Sequence, residues 1–201
     1  MAEPQWLRRN DLGAFLNAHG LTGKGVEVGV QNARFSETIL ATWGGEQLIL
    51  VDAWRGLEDH LDCAHVSDHE FENQYLRTKR RTAKYGSRVR IMRMLSVEAA
   101  ATMPDEYLDF VYIDANHAYL ACKADLVAWW PKLRIGGLFS GHDFFNAVPT
   151  SAKTPNIRDD PIEESLLYWG VKPAVEEFAA EHDLEIQTTY KDFSSSWWFF
   201  K

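Results

Sequence analysis

The sequence predicts a three-layer α/β sandwich: a mostly parallel seven-stranded sheet, helices on both faces, and a C-terminal antiparallel hairpin. Two observations carry this. Short apolar runs alternate with segments of helical periodicity, the pattern of repeated βαβ units. The last two apolar runs, residues 184–190 and 196–200, are joined only by Lys191, Asp192, Phe193, Ser194 and Ser195. That turn is too short for a helical crossover, so the pair must be antiparallel. The architecture is Rossmann-like, and 201 residues suit one domain spanning positions 1–201.

Each element has a local cause. Asn10 or Asp11 can cap a helix, within residues 1–20, whose apolar face is Leu12, Phe15 and Leu16. Residues 25–30 form the first buried strand. Phe35, Ile39 and Trp43 recur at helical spacing until Gly44 and Gly45 end that helix. The second strand, 47–51, stops at Asp52. A weakly amphipathic helix over 71–85 ends at Gly86, and 88–92 is the third strand. After a short helix over 97–102, residues 108–113 are nearly all apolar, as befits a central strand covered on both faces. Tyr119, Cys122, Leu126 and Trp130 share one face of the next helix, which Pro131 terminates. Residues 138–140 are the fifth strand. Residues 144–161 hold Pro149, Pro155 and Pro161 without periodicity and are expected to be a long active-site loop. Val171, Val175 and Phe178 mark the inner face of the last helix.

Composition narrows the function classes. A net charge of −8 repels a phosphate backbone, so nucleic acid is not an expected partner. The basic run Arg77, Lys79, Arg80, Arg81 and Lys84 reads as the solvated face of a helix. Cys63 and Cys122 give neither a disulfide framework nor metal-site spacing. The first six residues lack a signal-peptide pattern, and no apolar stretch approaches the ~18 residues that span a bilayer. A cytoplasmic location without a membrane partner is expected. Trp197, Trp198, Phe199 and Phe200 are expected to pack a core or a homodimer interface.

Ligands of open α/β sheets sit beyond the C-terminal ends of the strands. Glu27 to Gly29, Asp52, Asp114 and Asp143 all fall at such ends. The first turn is glycine-poor and does not match the G-x-G-x-x-G that cradles a pyrophosphate, which disfavours a nicotinamide oxidoreductase. A glycine two residues after an acid suits an ammonium group instead, and Asp52 is placed to accept from a ribose diol. An ammonium and a ribose without phosphate describe S-adenosylmethionine. His60, His65 and His69 cluster with Asp59, Asp62 and Asp68, more simply a solvated loop than a metal site.

Gly25-Val26-Glu27-Val28-Gly29-Val30, with Ala33-Arg34-Phe35-Ser36, resembles the first motif of class I S-adenosylmethionine-dependent methyltransferases. It is most similar to a small bacterial subgroup with an E-x-G-x-x-x-G-x-F-S pattern. Leu50-Val51-Asp52-Ala53-Trp54 resembles that group's second motif, and 108–119 its fourth. Trp130-Pro131-Lys132-Leu133-Arg134-Ile135-Gly136-Gly137 leads into Gly141-His142-Asp143 as in the same group. The resemblance implies that Glu27 and Gly29 hold the methionine end of the donor. It implies that Asp52 binds the ribose hydroxyls, that Met94, Leu95 and Ser96 flank adenine, and that Asp114 borders the donor. Ala33 stands where the group has glycine.

The later motifs resemble catechol-type and macrocin-type O-methyltransferases, which hold Mg²⁺ with acids after the fourth and fifth strands. Asp114 and Asp143 match two ligand positions, while Phe144 replaces the third. Asp114 and Asp143 are the implied metal pair, suited with waters to Mg²⁺, and His142 or His117 would add a ligand for a softer ion such as Mn²⁺ or Zn²⁺. His117, three residues after Asp114, is either a general base for a hydroxyl acceptor or a cap of the following helix. The expected reaction is O-methylation of a small molecule of sugar or natural-product type. A catalytically impaired nucleoside-binding module is the alternative.

Overall fold

In the computed structural model, residues 5–56, 66–145 and 169–201 are described. The seven strands among them form one sheet in the order β3-β2-β1-β4-β5-β7-β6. They are β1 (Lys24–Val28), β2 (Gln47–Asp52), β3 (Val89–Arg93), β4 (Leu108–Ile113), β5 (Leu133–Gly141), β6 (Gln187–Thr188) and β7 (Trp197–Phe200). Strands β1 to β5 pair in parallel, and β7 runs antiparallel to both β5 and β6. The Rossmann-like sandwich with a terminal hairpin is therefore as expected.

The side chains of each strand divide between two cores, because successive residues point to opposite faces. Val26, Val28, Ile49, Val51, Val111 and Ile113 face one cluster with helices α4 (Ser96–Ala101), α5 (Tyr119–Trp129) and α6 (Val171–Glu181). Leu48, Leu50, Phe110 and Tyr112 face the other with α1 (Leu12–Ala18) and α2 (Arg34–Thr42). Helix α3 (Asp68–Thr82) buries Phe71 among Gln74, Thr78 and Thr82, which explains its weak amphipathicity. The C-terminal aromatics obey the same alternation. Trp197 and Phe199 join the first core while Trp198 and Phe200 pack on the second. Trp197 and Phe199 are buried, and Trp198 and Phe200 are partly buried.

Three elements depart from expectation. Strand β5 starts at Leu133, earlier than residue 138, because Ile135 is 66% exposed and Gly136 has a φ of +74°. The strand bulges there, and the burial pattern that reveals a strand is interrupted. Strand β6 is short: Leu184 and Ile186 pack on the core, but Tyr190 is 65% exposed. The inner face of α5 turns toward Cys122, Asp125, Leu126 and Trp129, with Trp130 only partly buried. Positions 146–161 of the expected loop, and Asp59, His60, Asp62, Cys63 and His65, lie outside the described residues. The basic run lies on the surface, where Arg77 meets Glu70 at 2.7 Å and Lys84 meets Glu37 at 2.6 Å.

Candidate active site

A cavity of about 600 Å³ opens beyond the C-terminal ends of β1, β2 and β4. It is lined by Glu27, Gly29, Asp52, Ser96, Asp114 and His117, all expected there, and by Arg9 and Asp125, which were not. Its volume is that of a typical small-molecule site.

Glu27, next to last in β1, is fully buried and accepts a hydrogen bond from the Ser36 hydroxyl on α2. Burial pushes its carboxyl up to about 8, against the Ser36 bond and the Arg9 charge. Gly29 has a φ of +87°, and a Cβ there would lie 1.9 Å from the Asp114 carbonyl oxygen. Its glycine is thus required by the neighbouring strand as well as by any ligand. Asp52 ties the first turn in place: Oδ2 accepts from the Val30 and Gln31 N–H groups at 3.0 and 2.8 Å, and Oδ1 from Trp54 at 2.8 Å. Ala33, where glycine is usual, adopts the left-handed region at φ +59° as the N-cap of α2, with its methyl buried in the second core. The turn keeps the glycine conformation at a cost of roughly 1 kcal/mol, and Ala33 is not among the residues that line the cavity.

Ser96 opens α4 and accepts from the Trp129 indole N–H at 2.9 Å. Asp125 lies beside it, 4% exposed, its carboxyl pushed up to about 7 by burial against a hydrogen bond with Ser96. Cys122 is a buried free thiol whose pKa burial raises, an inert core group.

The opposite end of the cavity gathers side chains from distant stretches. Asp114 follows β4. Burial disfavours its charge, but the His117 hydrogen bond and the Arg9 guanidinium hold its pKa below the usual carboxylate value. His117 Nε2 lies 3.5 Å from Asp114 and 3.1 Å from Asp143. Its ring stacks on Trp169 at 4.4 Å and 11°. The helix-cap role falls elsewhere: Ala118 is the N-cap of α5, and its N–H donates to Asn116 at 2.9 Å. Burial also opposes the charge of Asp143, yet hydrogen bonds with His117, His142 and Ser194 hold its carboxyl far below the ordinary range. Asp114, His117 and Asp143 each bring one ligand atom within 4.8 Å of the others. His142 reaches this group through Asp143, with Nδ1 at 3.0 Å. Phe144 turns into the first core.

Arg9 had no signal in the sequence. It sits in a single 3-10 turn before α1, and its guanidinium meets Asp114 at 2.5 Å. Nothing in the second arginine of an Arg8-Arg9 pair, followed by Asn10 and Asp11, marks it as lining a cavity. Asp125 did carry a faint signal, standing between Cys122 and Leu126 at the margin of the apolar face.

The family model for a methyltransferase domain matches residues 25–144, more than half of the chain. The chain belongs to this family. Expectation and finding agree that it is a class I S-adenosylmethionine-dependent methyltransferase. No curated protein sequence matches it significantly. Among solved structures, an O-methyltransferase from Bacillus cereus in complex with SAH superposes with a TM-score of 0.64 at 14% identity. The match covers 100% of this chain and 84% of that one. An O-methyltransferase of tomaymycin synthesis from Streptomyces achromogenes, in complex with SAM, gives 0.63 at 12% identity over 96% and 79%. Spermidine synthase from Thermotoga maritima gives 0.55 at 14% identity over 95% and 58%. At such identities the likeness is one of fold. No described helix of this methyltransferase is long and apolar enough to cross a membrane.

Proposed function

We propose that this methyltransferase moves the methyl group of S-adenosylmethionine to a hydroxyl oxygen of a small molecule, with His117 as general base. The observation that carries this is the imidazole of His117 at the cavity wall, held between two carboxylates 3.1 and 3.5 Å away. Glu27 pairs with the donor's ammonium, Asp52 accepts from its ribose, and Ser96 lies against its adenine. The leaving group is already activated as a sulfonium, so the protein must align the acceptor and remove its proton. His117 takes that proton as the oxygen attacks the methyl carbon. The C–O bond forms, the C–S bond breaks, and S-adenosylhomocysteine and a methyl ether result. Asp143 and Asp114 stabilise the imidazolium, which afterwards returns its proton to solvent.

Two carboxylates with a nearby imidazole are also a donor set that Mg²⁺ or Mn²⁺ accepts. Asp114 and Asp143, with His142 alongside, would hold the ion, and it would polarise the acceptor oxygen as a Lewis acid. Arg9 already sets one positive charge at Asp114. The cytoplasm, as the compartment where this donor is made, completes the proposal.

The test is transfer of labelled methyl to a panel of hydroxylated acceptors, with and without EDTA. His117→Ala is expected to lower kcat by roughly 10²–10⁴-fold. Unchanged kcat would remove His117 from the chemistry. Cofactor binding with no turnover on any acceptor would leave a binding module. Loss of activity in EDTA that Mn²⁺ or Mg²⁺ restores would assign the metal; indifference would exclude it.

A further inference from the structure

Residues 189–196 join β6 to β7, and this turn is pinned from three sides. Within it, the Thr189 N–H donates to the Ser196 carbonyl and the Ser196 N–H to the Thr189 hydroxyl, both at 2.9 Å. Toward the N-terminus, the Lys191 N–H donates to the Leu7 carbonyl at 3.1 Å, and the Asp192 carboxylate accepts from the Arg9 N–H. Toward β5, the Ser195 carbonyl accepts from the Phe144 N–H at 3.0 Å. Phe193 is fully exposed, so hydrogen bonds rather than burial of its ring hold the turn there. One side chain of the turn reaches the site. The Ser194 hydroxyl donates to Asp143 Oδ1, which also meets His142 Nδ1 at 3.0 Å. Asp143 Oδ2 is the oxygen that meets His117 Nε2, at 3.1 Å. The carboxylate is thus divided, one oxygen to Ser194 and His142, the other to His117. Asp143 itself stands in left-handed backbone at φ +61°, uncommon for a residue with a side chain. Such strain persists only where the surroundings over-determine it. Here the Asp143 carbonyl is bonded to the Phe145 N–H, the next N–H along the chain to Ser195, and the side chain to Ser194.

Resting on the proposed role of His117 as general base, we infer that Ser194 is a positioning residue for that base. By occupying Oδ1 together with His142, its hydroxyl sets the rotation of the Asp143 carboxylate and keeps Oδ2 aimed at His117. The imidazole is then held in one orientation before the acceptor arrives. Proton removal in step with an in-line displacement requires such prior alignment. Ser194 is not among the residues that line the cavity, so it acts through Asp143 and not on either substrate. A hydroxyl supplies the bond without a charge that would compete with the imidazolium for the carboxylate. Without it, Oδ1 keeps His142 alone, and the carboxylate can turn so that either oxygen meets either histidine. Asp114, the second carboxylate beside His117, is tied to the same turn less directly, through Arg9 and Asp192.

The first test needs no acceptor. NMR of histidine-labelled protein is expected to show a slowly exchanging imidazole N–H on His117, identified by its loss in His117→Ala. Ser194→Ala should lose this protected proton, and Ser194→Thr, which keeps a hydroxyl, should retain it. The signals of His19 and His182, whose rings bond the Phe15 and Phe178 carbonyls elsewhere in the fold, should not move, which shows that the variants are folded. The second test is a kinetic cycle on the fastest acceptor of the hydroxylated panel. Ser194→Ala is expected to lower kcat by about 10- to 100-fold while affinity for S-adenosylhomocysteine stays within about 3-fold, and Ser194→Thr to restore most of the loss. In the His117→Ala background the same substitution should change kcat by less than about 3-fold, because the group it acts through is gone. An unchanged His117 proton in Ser194→Ala would overturn the inference. So would an equal loss of kcat in both backgrounds, the result of a turn that merely fastens the hairpin to β5. Wild-type kcat in His117→Ala, or no turnover on any acceptor, would instead defeat the base itself, and with it this inference.

Discussion

The two ends of the cavity are built from different kinds of sequence. The donor end is mostly one contiguous βαβ unit, in which Glu27, Gly29, Ser36 and Asp52 lie within 26 consecutive positions. Its cohesion is local: the Asp52 carboxylate binds the N–H groups of the turn between β1 and α2, and Ser36 in the first turn of α2 donates to Glu27 on β1. The opposite end brings together Arg9, Asp114, His117, Asp143, Trp169 and Ser194. These meet only after the sheet and the terminal hairpin have formed. A site of the first kind declares itself as a motif. One of the second kind exists only in the tertiary structure.

The largest effect that separates the two ends is expected at Glu27. With its pKa near 8 in the donor-free state, the side chain is mostly protonated at pH 7. It must release that proton to pair with an ammonium. Affinity for S-adenosylhomocysteine should therefore rise as pH increases toward about 8, with proton release at pH 7 seen as a buffer-dependent binding enthalpy. Glu27→Gln should weaken binding roughly 10-fold or more at pH 8 and remove the pH dependence. A pH-independent wild-type affinity would show that Glu27 does not meet the ammonium.

A smaller effect is expected at Asp125, which like Ser96 lines the cavity from outside the βαβ unit. Burial raises its pKa from 3.8 to about 7, so the folded state favours its protonated form. The stability this gives is complete below the unfolded value and is lost as pH rises through about 7. Asp125→Asn mimics the protonated form. It should be more stable than wild type at pH 8, by on the order of 1–3 kcal/mol in denaturant titrations, with the gap closing toward pH 5. A gap that does not change with pH would mean that Asp125 is solvated in solution.

Legibility in the sequence followed the same division. Strand β4 was read to its limits because a strand buried on both faces is continuously apolar, and α2 because Phe35, Ile39 and Trp43 keep helical spacing. Strand β5 was read short, since exposed Ile135 and the left-handed Gly136 erase its pattern. Asp52, Asp114 and Asp143 are legible as acids at strand ends because strand ends have fixed places in such folds. Their partners are not. Whether His117 capped a helix or entered the site depended on the contacts of Asp143, 26 residues later. Arg9 depended on Trp6 being buried against β7, a contact with no periodicity to betray it. Ala33 looked like a defect in the motif, and proves to hold the glycine conformation.

The division itself is the central claim, and one calorimetric comparison tests it most directly. S-adenosylhomocysteine is titrated into wild type and into His117→Ala at the same pH. If donor binding and acceptor activation belong to separate ends of the cavity, the two affinities agree within about 3-fold, under 1 kcal/mol, while only the variant loses turnover. A loss of donor affinity of about 10-fold or more in folded His117→Ala would contradict this, and would place His117 in the donor site.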